Sequence, residues 1–385
     1  MVNKNNTLRE YGIDIPLEEF IGPDFPGFKA ALIAMDISRL LREKVISDDQ
    51  VGPLKEDIRN GHYKVEEDKE NGENISKNHP RCKFAKMTFE SLPSVPLICF
   101  VKRRSLDDSK HAVELYVPEI VRGSLSYPAT PKCIFNNGRV IAYELFSPSE
   151  ISVENHIQKI SNNPAEMKLI LDKITKTVSD IHSISLSPDE IKLLSTNNYA
   201  SDHSKWKIPE LAEKDYVQGV VESLTQYTKS LNNYGKGLIH NDLHLGNMHL
   251  KGQDIVSLID WEWAMLGAPQ TDITRIAMGL RFDNPKNADK EGELVKNFYN
   301  ALAANKMPVG SLEEFKHIYT LAKAHQYGIY ADIERRHVEI NQGILSKGRP
   351  GIDVKLAQNT ILNGQKNMKA FASLGLKTCK EAYKQ

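Results

Sequence analysis

The sequence predicts an α+β chain with a small sheet-rich N-terminal lobe and a large helical C-terminal lobe. Three observations predict it. Strand-like runs crowd into residues 83–146, ending in "PKCIFNNGRVIAYELF" (131–146), where "NNG" between two apolar runs is a strong hairpin signal. From Ser149 onward, apolar residues recur three and four apart, the period of a helix with one buried face. A length of 385 residues allows two domains, or one domain with two lobes. The division is drawn between a nucleotide-binding lobe with a helical extension, 1–145, and a catalytic and substrate-binding lobe, 146–385.

The elements follow in order. "FKAALIAMDISRLLREKVI" (28–46) spaces its apolar residues as an amphipathic helix. From Val51 to Arg81 the composition turns polar, and "EEDKENGENISKNHPR" offers almost nothing to bury, which predicts a loop. "KFAKMTFES" (83–91) and "VPLICFVKRR" (95–104) read as strands around a proline-containing turn, and residues 109–125 read as a helix. In the second lobe, Asn163 before Pro164 caps a helix over 163–184, and a second long helix is expected over 209–231. A short strand, "DIVSLIDW", precedes the helices "DITRIAMGL", "EGELVKNFYNALAANK", "SLEEFKHIYTLAKAHQYGIYADIERRH" and "VKLAQNTILNGQKNMKAFASL". No internal repeat is found.

Charge and composition narrow the function. Fifty basic residues balance fifty acidic ones, so no net field draws in nucleic acid or an anionic membrane. No apolar run approaches the roughly 20 residues that span a bilayer, and "MVNKNNTLREYGIDIPLEEF" lacks an apolar leader. Cys82, Cys99, Cys133 and Cys379 are far apart and form no metal-binding pair. The expectation is a cytoplasmic protein without nucleic-acid or membrane partners.

The chemistry concentrates in "LIHNDLHLGNMHL" (238–250). Between strand-like flanks the segment "NDLHLG" is a loop, and loops on a rigid scaffold commonly carry reacting groups. Asp242 and Asn247 lie in it, and thirteen residues later the strand "IVSLI" ends at Asp260. Two carboxylates and an amide oxygen are hard ligands suited to Mg²⁺, which prefers few protein ligands and completes its shell with phosphate oxygens. A nucleoside triphosphate is the implied partner. His240, His244 and His249 suggest zinc at first sight, but in a strand-loop-strand their spacing does not bring the rings together.

These residues resemble the aminoglycoside phosphotransferase and choline kinase family, small-molecule kinases with a protein-kinase-like fold. "IHNDLHLGN" looks like that family's His-x-Asp loop with its downstream Asn. "LIDWEWAMLGAPQTDI" looks like its metal-binding Asp-Trp strand and the Gly-x-Pro-x-x-Asp segment beyond, and "VSDIHSI" (178–184) resembles its Leu-x-x-Leu-His helix end. The likeness is dense over residues 170–280. It implies a two-lobed kinase-like fold in which Asp242 orients or accepts the proton of the acceptor hydroxyl and Asn247 and Asp260 hold Mg²⁺ against the phosphates of ATP. His240 would brace the loop, and Asp272 would hydrogen-bond its backbone. On the nucleotide side it implies Lys102 as the phosphate-contacting lysine, with Glu119 as its partner in preference to Glu114. Main-chain groups of Glu144 and Phe146 would receive adenine. One departure stands out: no glycine-rich loop precedes Lys102, the upstream glycines nearest to it being Gly61 and Gly72. The implied activity is ATP- and Mg²⁺-dependent phosphorylation of a small-molecule hydroxyl, with an aminoglycoside-like or other amino-sugar or amino-alcohol acceptor. The missing glycine loop keeps open an alternative, a pseudokinase-like nucleotide-binding module without transfer activity.

Overall fold

A computed structural model of the chain describes residues 41, 46–67, 82–103, 108–127, 129–131, 133–136, 140–143, 151–160, 162–195, 237–251, 254–281, 288–346 and 354–382. They sort into two compact units, Met1–His156 with Met248–Ile259, and Ile157–Asn247 with Asp260–Gln385. No helix among the described residues is long and apolar enough to cross a membrane.

Among the described residues, the first unit contains α1 (Asp48–Asn60) and β1 (Tyr63–Glu67), which run into the stretch from Val51 that the sequence predicts to be a loop. Local signals explain the difference. Ser47 and Gln50 form a reciprocal capping box, and Gly61 ends the helix in the left-handed conformation at φ 79°. Leu54 and Ile58, one turn apart, are fully buried, while Asp57 accepts a hydrogen bond from the Ser91 backbone N–H at 2.7 Å. Two buried apolar residues and a cap outweigh a polar composition.

β2 (Cys82–Phe89), β3 (Leu92–Arg103), β4 (Cys133–Asn136) and β5 (Val140–Tyr143) complete an antiparallel sheet with β1, ordered β1-β2-β3-β5-β4. The hairpin expected around "NNG" is there as β4–β5. Between β3 and β4 runs α2 (Asp108–Ser124), which buries Val113, Val117 and Val121 at spacings of four. A second, three-stranded sheet pairs β6 (Ile151–Ser152) with β8 (Met248–Lys251) and β8 with β9 (Asp254–Leu258). α3 (Val153–Ile160) follows β6 directly. The backbone N–H of Leu258 donates to Ala129 at 2.8 Å and fixes the end of β9.

The second unit is largely helical. α4 (Pro164–His182) starts as its sequence indicates: Pro164 occupies the first turn, and the Asn163 side chain accepts the Glu166 N–H at 3.2 Å. Its inner face carries Ile170, Ile174, Val178 and Ile181. α5 (Pro188–Ser195) follows, then β7 (Gly237–Ile239), paired with β10 (Met265–Gly267). α6 (Gln270–Gly279), α7 (Ala288–Ala304), α8 (Leu312–Ser346) and α9 (Val354–Ala382) match the four helices expected from periodicity. Phe298, Leu302, Phe315, Ile318 and Leu321 are among their buried residues. The helix expected over 209–231 lies outside the described residues, as does that over 28–46 except at 41 and 46. The strand read through "DIVSLIDW" stops at Leu258, because Asp260 takes a left-handed conformation (φ 70°, ψ 59°) and Trp261–Trp263 form a 3₁₀ turn.

Candidate phosphotransfer site

Within the second unit the chain passes from β7 into the loop carrying Asp242, and a single turn of 3₁₀ helix, Leu245–Asn247, closes it. Leu243 and Leu245 anchor this loop in the core, at 2% and 3% exposure. Asp242, His244 and Gly246 alternate with them and remain partly exposed. Gly279 of α6 is matched to the anchor, since a Cβ there would stand 3.0 Å from Leu245 Cγ. β7 approaches the end of α4 closely, as a Cβ on Gly237 would lie 2.5 Å from the His182 carbonyl oxygen.

The loop's conformation is fastened by Asp272 in the first turn of α6. One carboxylate oxygen accepts the His240 N–H at 2.8 Å and meets His182 Nε2 at 2.9 Å, while the other accepts the Asn241 N–H at 2.8 Å. The carboxylate is completely buried. Burial by itself opposes ionisation, but the hydrogen bond and charge of His182, with the charge and backbone N–H of His240, outweigh it and hold the Asp272 carboxyl below its ordinary value. The two backbone bonds also stabilise Asn241 at φ 62°, a left-handed conformation that asparagine tolerates better than most residues. Asp272 thus acts on the loop backbone, as the resemblance implies.

His240 braces the same loop from inside. It is 1% exposed, its Nδ1 accepts the Asp242 N–H at 3.3 Å, and its ring packs on Trp261 with centroids 4.5 Å apart. Because Trp261 directly follows Asp260, the ring contact ties the Asp260 turn to the backbone beside Asp242. Among the described residues, two of the four non-glycine positions at positive φ are Asn241 and Asp260, a clustering of backbone strain characteristic of functional sites.

Asn247 is oriented by its neighbour. Its Nδ2 donates to the Asp242 carbonyl oxygen at 2.9 Å, the same oxygen that accepts the His244 N–H at 2.9 Å. This leaves the Asn247 Oδ1 bonded by no described residue. By residue type, Asp242, Asn247 and Asp260 offer two carboxylates and one amide oxygen, hard-oxygen donors of the kind that suit Mg²⁺.

One residue of the site is not singled out by the sequence. Arg275 Nη1 reaches Asp242 Oδ1 at 2.6 Å, with side-chain exposures of 11% and 23%. The signal for it was spacing: Arg275 is three residues beyond Asp272 on one helix, so both project from the same face.

The residues that the resemblance assigns to the nucleotide belong to the first unit or lie outside the described residues. Lys102 sits on the central strand β3, its backbone paired with Cys82 in β2 and Ile141 in β5. α2 turns Glu119 out to solvent, whereas Glu114 is 2% exposed and accepts a hydrogen bond from the Tyr143 hydroxyl. Five residues of helix separate the two by about 140° around the axis, so they cannot share a face. Glu144 and Phe146 fall outside the described residues.

Comparison with known proteins gives the chain its relatives. An ethanolamine kinase from Plasmodium vivax superposes with a TM-score of 0.54 at 12% identity, covering 92% of this chain and 91% of its own, and shows the fold. A choline kinase from Streptococcus pneumoniae gives 0.42 at 15% identity over 78% of this chain and 97% of its own. The gentamicin complex of APH(2")-IIa gives 0.43 at 13% identity over 78% and 95%. No curated protein matches the chain at a significant level. Residues 111–305, which take in most of α2, the Asp242 loop, the Asp260 turn and all of α7, match the sequence pattern of the phosphotransferase enzyme family. The chain belongs to the phosphotransferase enzyme family.

Proposed function

We propose that this phosphotransferase is a two-lobed, protein-kinase-like small-molecule kinase that moves the terminal phosphoryl group of Mg·ATP to a hydroxyl. The observation that carries the reading is the fastened loop of the second unit. Asp242 is held at a fixed place on its backbone, Asn247 is rotated so that its amide oxygen stays available, and Asp260 is set in a strained turn braced on the same loop. Asp242 orients the acceptor hydroxyl and takes its proton as the new O–P bond forms and the bond to ADP breaks. Asn247 Oδ1 and the Asp260 carboxylate would hold Mg²⁺, which when bound neutralises charge on the phosphates. Lys102 is assigned to the nucleotide phosphates, and Glu114 replaces Glu119 as the acid assigned to it, because Glu114 is the one α2 buries. Main-chain groups of Glu144 and Phe146 remain our assignment for adenine.

The acceptor is proposed to be an amino alcohol or an amino sugar. Solved relatives include an ethanolamine kinase, a choline kinase and a gentamicin complex, which share an amine or quaternary ammonium close to a hydroxyl. The pseudokinase-like alternative is weakened by the presence of Asp242, Asn247 and Asp260 together. Titration of Mg·ATP into the wild-type protein and into Asp260→Ala tests the metal assignment. Binding by the wild type that weakens at least tenfold in the variant is expected; equal binding by both would remove Asp260 from the site.

A further inference from the structure

We infer that Arg275 is a positioning residue of the phosphotransfer reaction, fixing the Asp242 carboxylate so that a single oxygen faces the acceptor hydroxyl. The inference rests on the phosphotransferase reading of Asp242 and adds to it a residue from α6.

The geometry is that of a two-point clamp from one helix face. Asp272 in the first turn of α6 binds the backbone N–H groups of His240 and Asn241. Arg275, three residues further along, binds the side chain of the next residue, with Nη1 2.6 Å from Asp242 Oδ1. One grip fixes where the loop runs, and the other fixes the carboxylate's rotation about its side-chain bonds. Without the second grip, Asp242 would sit on a correctly placed backbone with its carboxylate able to rotate between staggered positions. The bond engages Oδ1, and among the described residues nothing bonds Oδ2, which leaves Oδ2 as the oxygen with both acceptor positions open to a hydroxyl.

A purely structural role fits the observations less well. Arg275 is 11% exposed, and its Nε is buried with no hydrogen-bond partner among the described residues. Burying a guanidinium with an unpaired N–H is costly, and replacing a buried ion pair by apolar side chains is often neutral or stabilising. The hydrogen bond that Arg275 does make among the described residues is to the carboxylate assigned to the reaction.

The test is a double-mutant cycle on turnover in the full-length protein, with wild type, Arg275→Met, Asp242→Asn and the double variant. Each is assayed in single-turnover mode with radiolabelled Mg·ATP and saturating ethanolamine, choline or gentamicin, or water as the slow default acceptor. Mg·ATP affinity and thermal midpoint are measured alongside, with Arg275→Lys as the conservative replacement. The expected result is that Arg275→Met slows transfer roughly 100-fold, the loss typical of a misplaced reacting group. Mg·ATP affinity should stay within about twofold, Arg275→Lys should recover most of the rate, and Arg275→Met should add little loss to Asp242→Asn, since both remove the same oriented carboxylate. Full multiplication of the two single losses would overturn the proposal, because Arg275 would then act independently of Asp242. So would an unchanged rate in Arg275→Met, or a fall in rate that tracks a fall in thermal midpoint in both the Met and Lys variants. If the wild type itself neither binds nor turns over Mg·ATP, the phosphotransferase reading fails and carries this inference with it. That outcome is recognisable because it appears without any substitution.

Discussion

Three hydrogen bonds converge on the Asp272 carboxylate in a site without solvent, and two of them come from backbone N–H groups of the loop that holds Asp242. Asp272→Ala would leave those donors buried and unpaired, so a loss on the order of 3 kcal/mol of stability is expected, read as a lower midpoint in chemical denaturation. The residue also sets a pH dependence. Its carboxyl is held below the ordinary value, so its contribution is complete above the unfolded carboxyl pKa of about 4 and disappears as pH falls through the lower folded value. The stability gap between the wild type and Asp272→Asn should therefore be constant near neutrality and narrow below about pH 4. A gap that widens in acid would show that the folded carboxyl is raised instead.

Elements carry their own predictions. β7 and the end of α4 touch at Gly237, where a Cβ would meet the His182 carbonyl oxygen at 2.5 Å and the Met307 methyl at 2.8 Å. Gly237→Ala should destabilise by roughly 1–3 kcal/mol, as overpacking of a tight contact does, and should loosen the loop that follows. In the first unit, Leu54→Ala should remove roughly 2–5 kcal/mol if α1 is packed as described, and almost nothing if residues 51–60 form the loop their composition suggests. Circular dichroism and a melting curve decide between these. The comparison also shows what sequence conveys at this scale. β2, β3, the β4–β5 hairpin, α4 with its Asn163 cap and the four C-terminal helices were legible because each has a strong period or a turn signal. α1 was not, because its two buried residues are diluted by acids and a proline, and only the Ser47–Gln50 box marks its start. Spacing favours Glu119 over Glu114, whereas the helical turn between them decides which is buried. Arg275 carries no comparable signal, since an arginine on a helix looks like a solvated charge until the fold sets a carboxylate beside it.

For the whole molecule, membership of the phosphotransferase enzyme family and the fastened loop of the second unit point the same way, although the nearest upstream glycines to Lys102 are far off and no glycine-rich loop covers the nucleotide in the sequence. The balanced charge leaves no general attraction for phosphates, so under the proposed function nucleotide binding is expected to rest on specific groups, with Asp260 and Asn247 proposed to hold Mg²⁺. Binding should accordingly fall when Mg²⁺ is chelated, measurable as loss of the ATP-induced rise in thermal midpoint. The central claim is that Asp242 serves transfer of phosphate to a small-molecule hydroxyl. Its most direct test is radiolabelled phosphate transfer from Mg·ATP across a panel of amino alcohols and aminoglycosides, comparing the wild type with Asp242→Asn. A labelled product with at least one acceptor is expected, with a loss of roughly 10²- to 10⁴-fold in the variant while Mg·ATP binding is retained; labelling of the same acceptor by the variant at the wild-type rate would remove Asp242 from the transfer step.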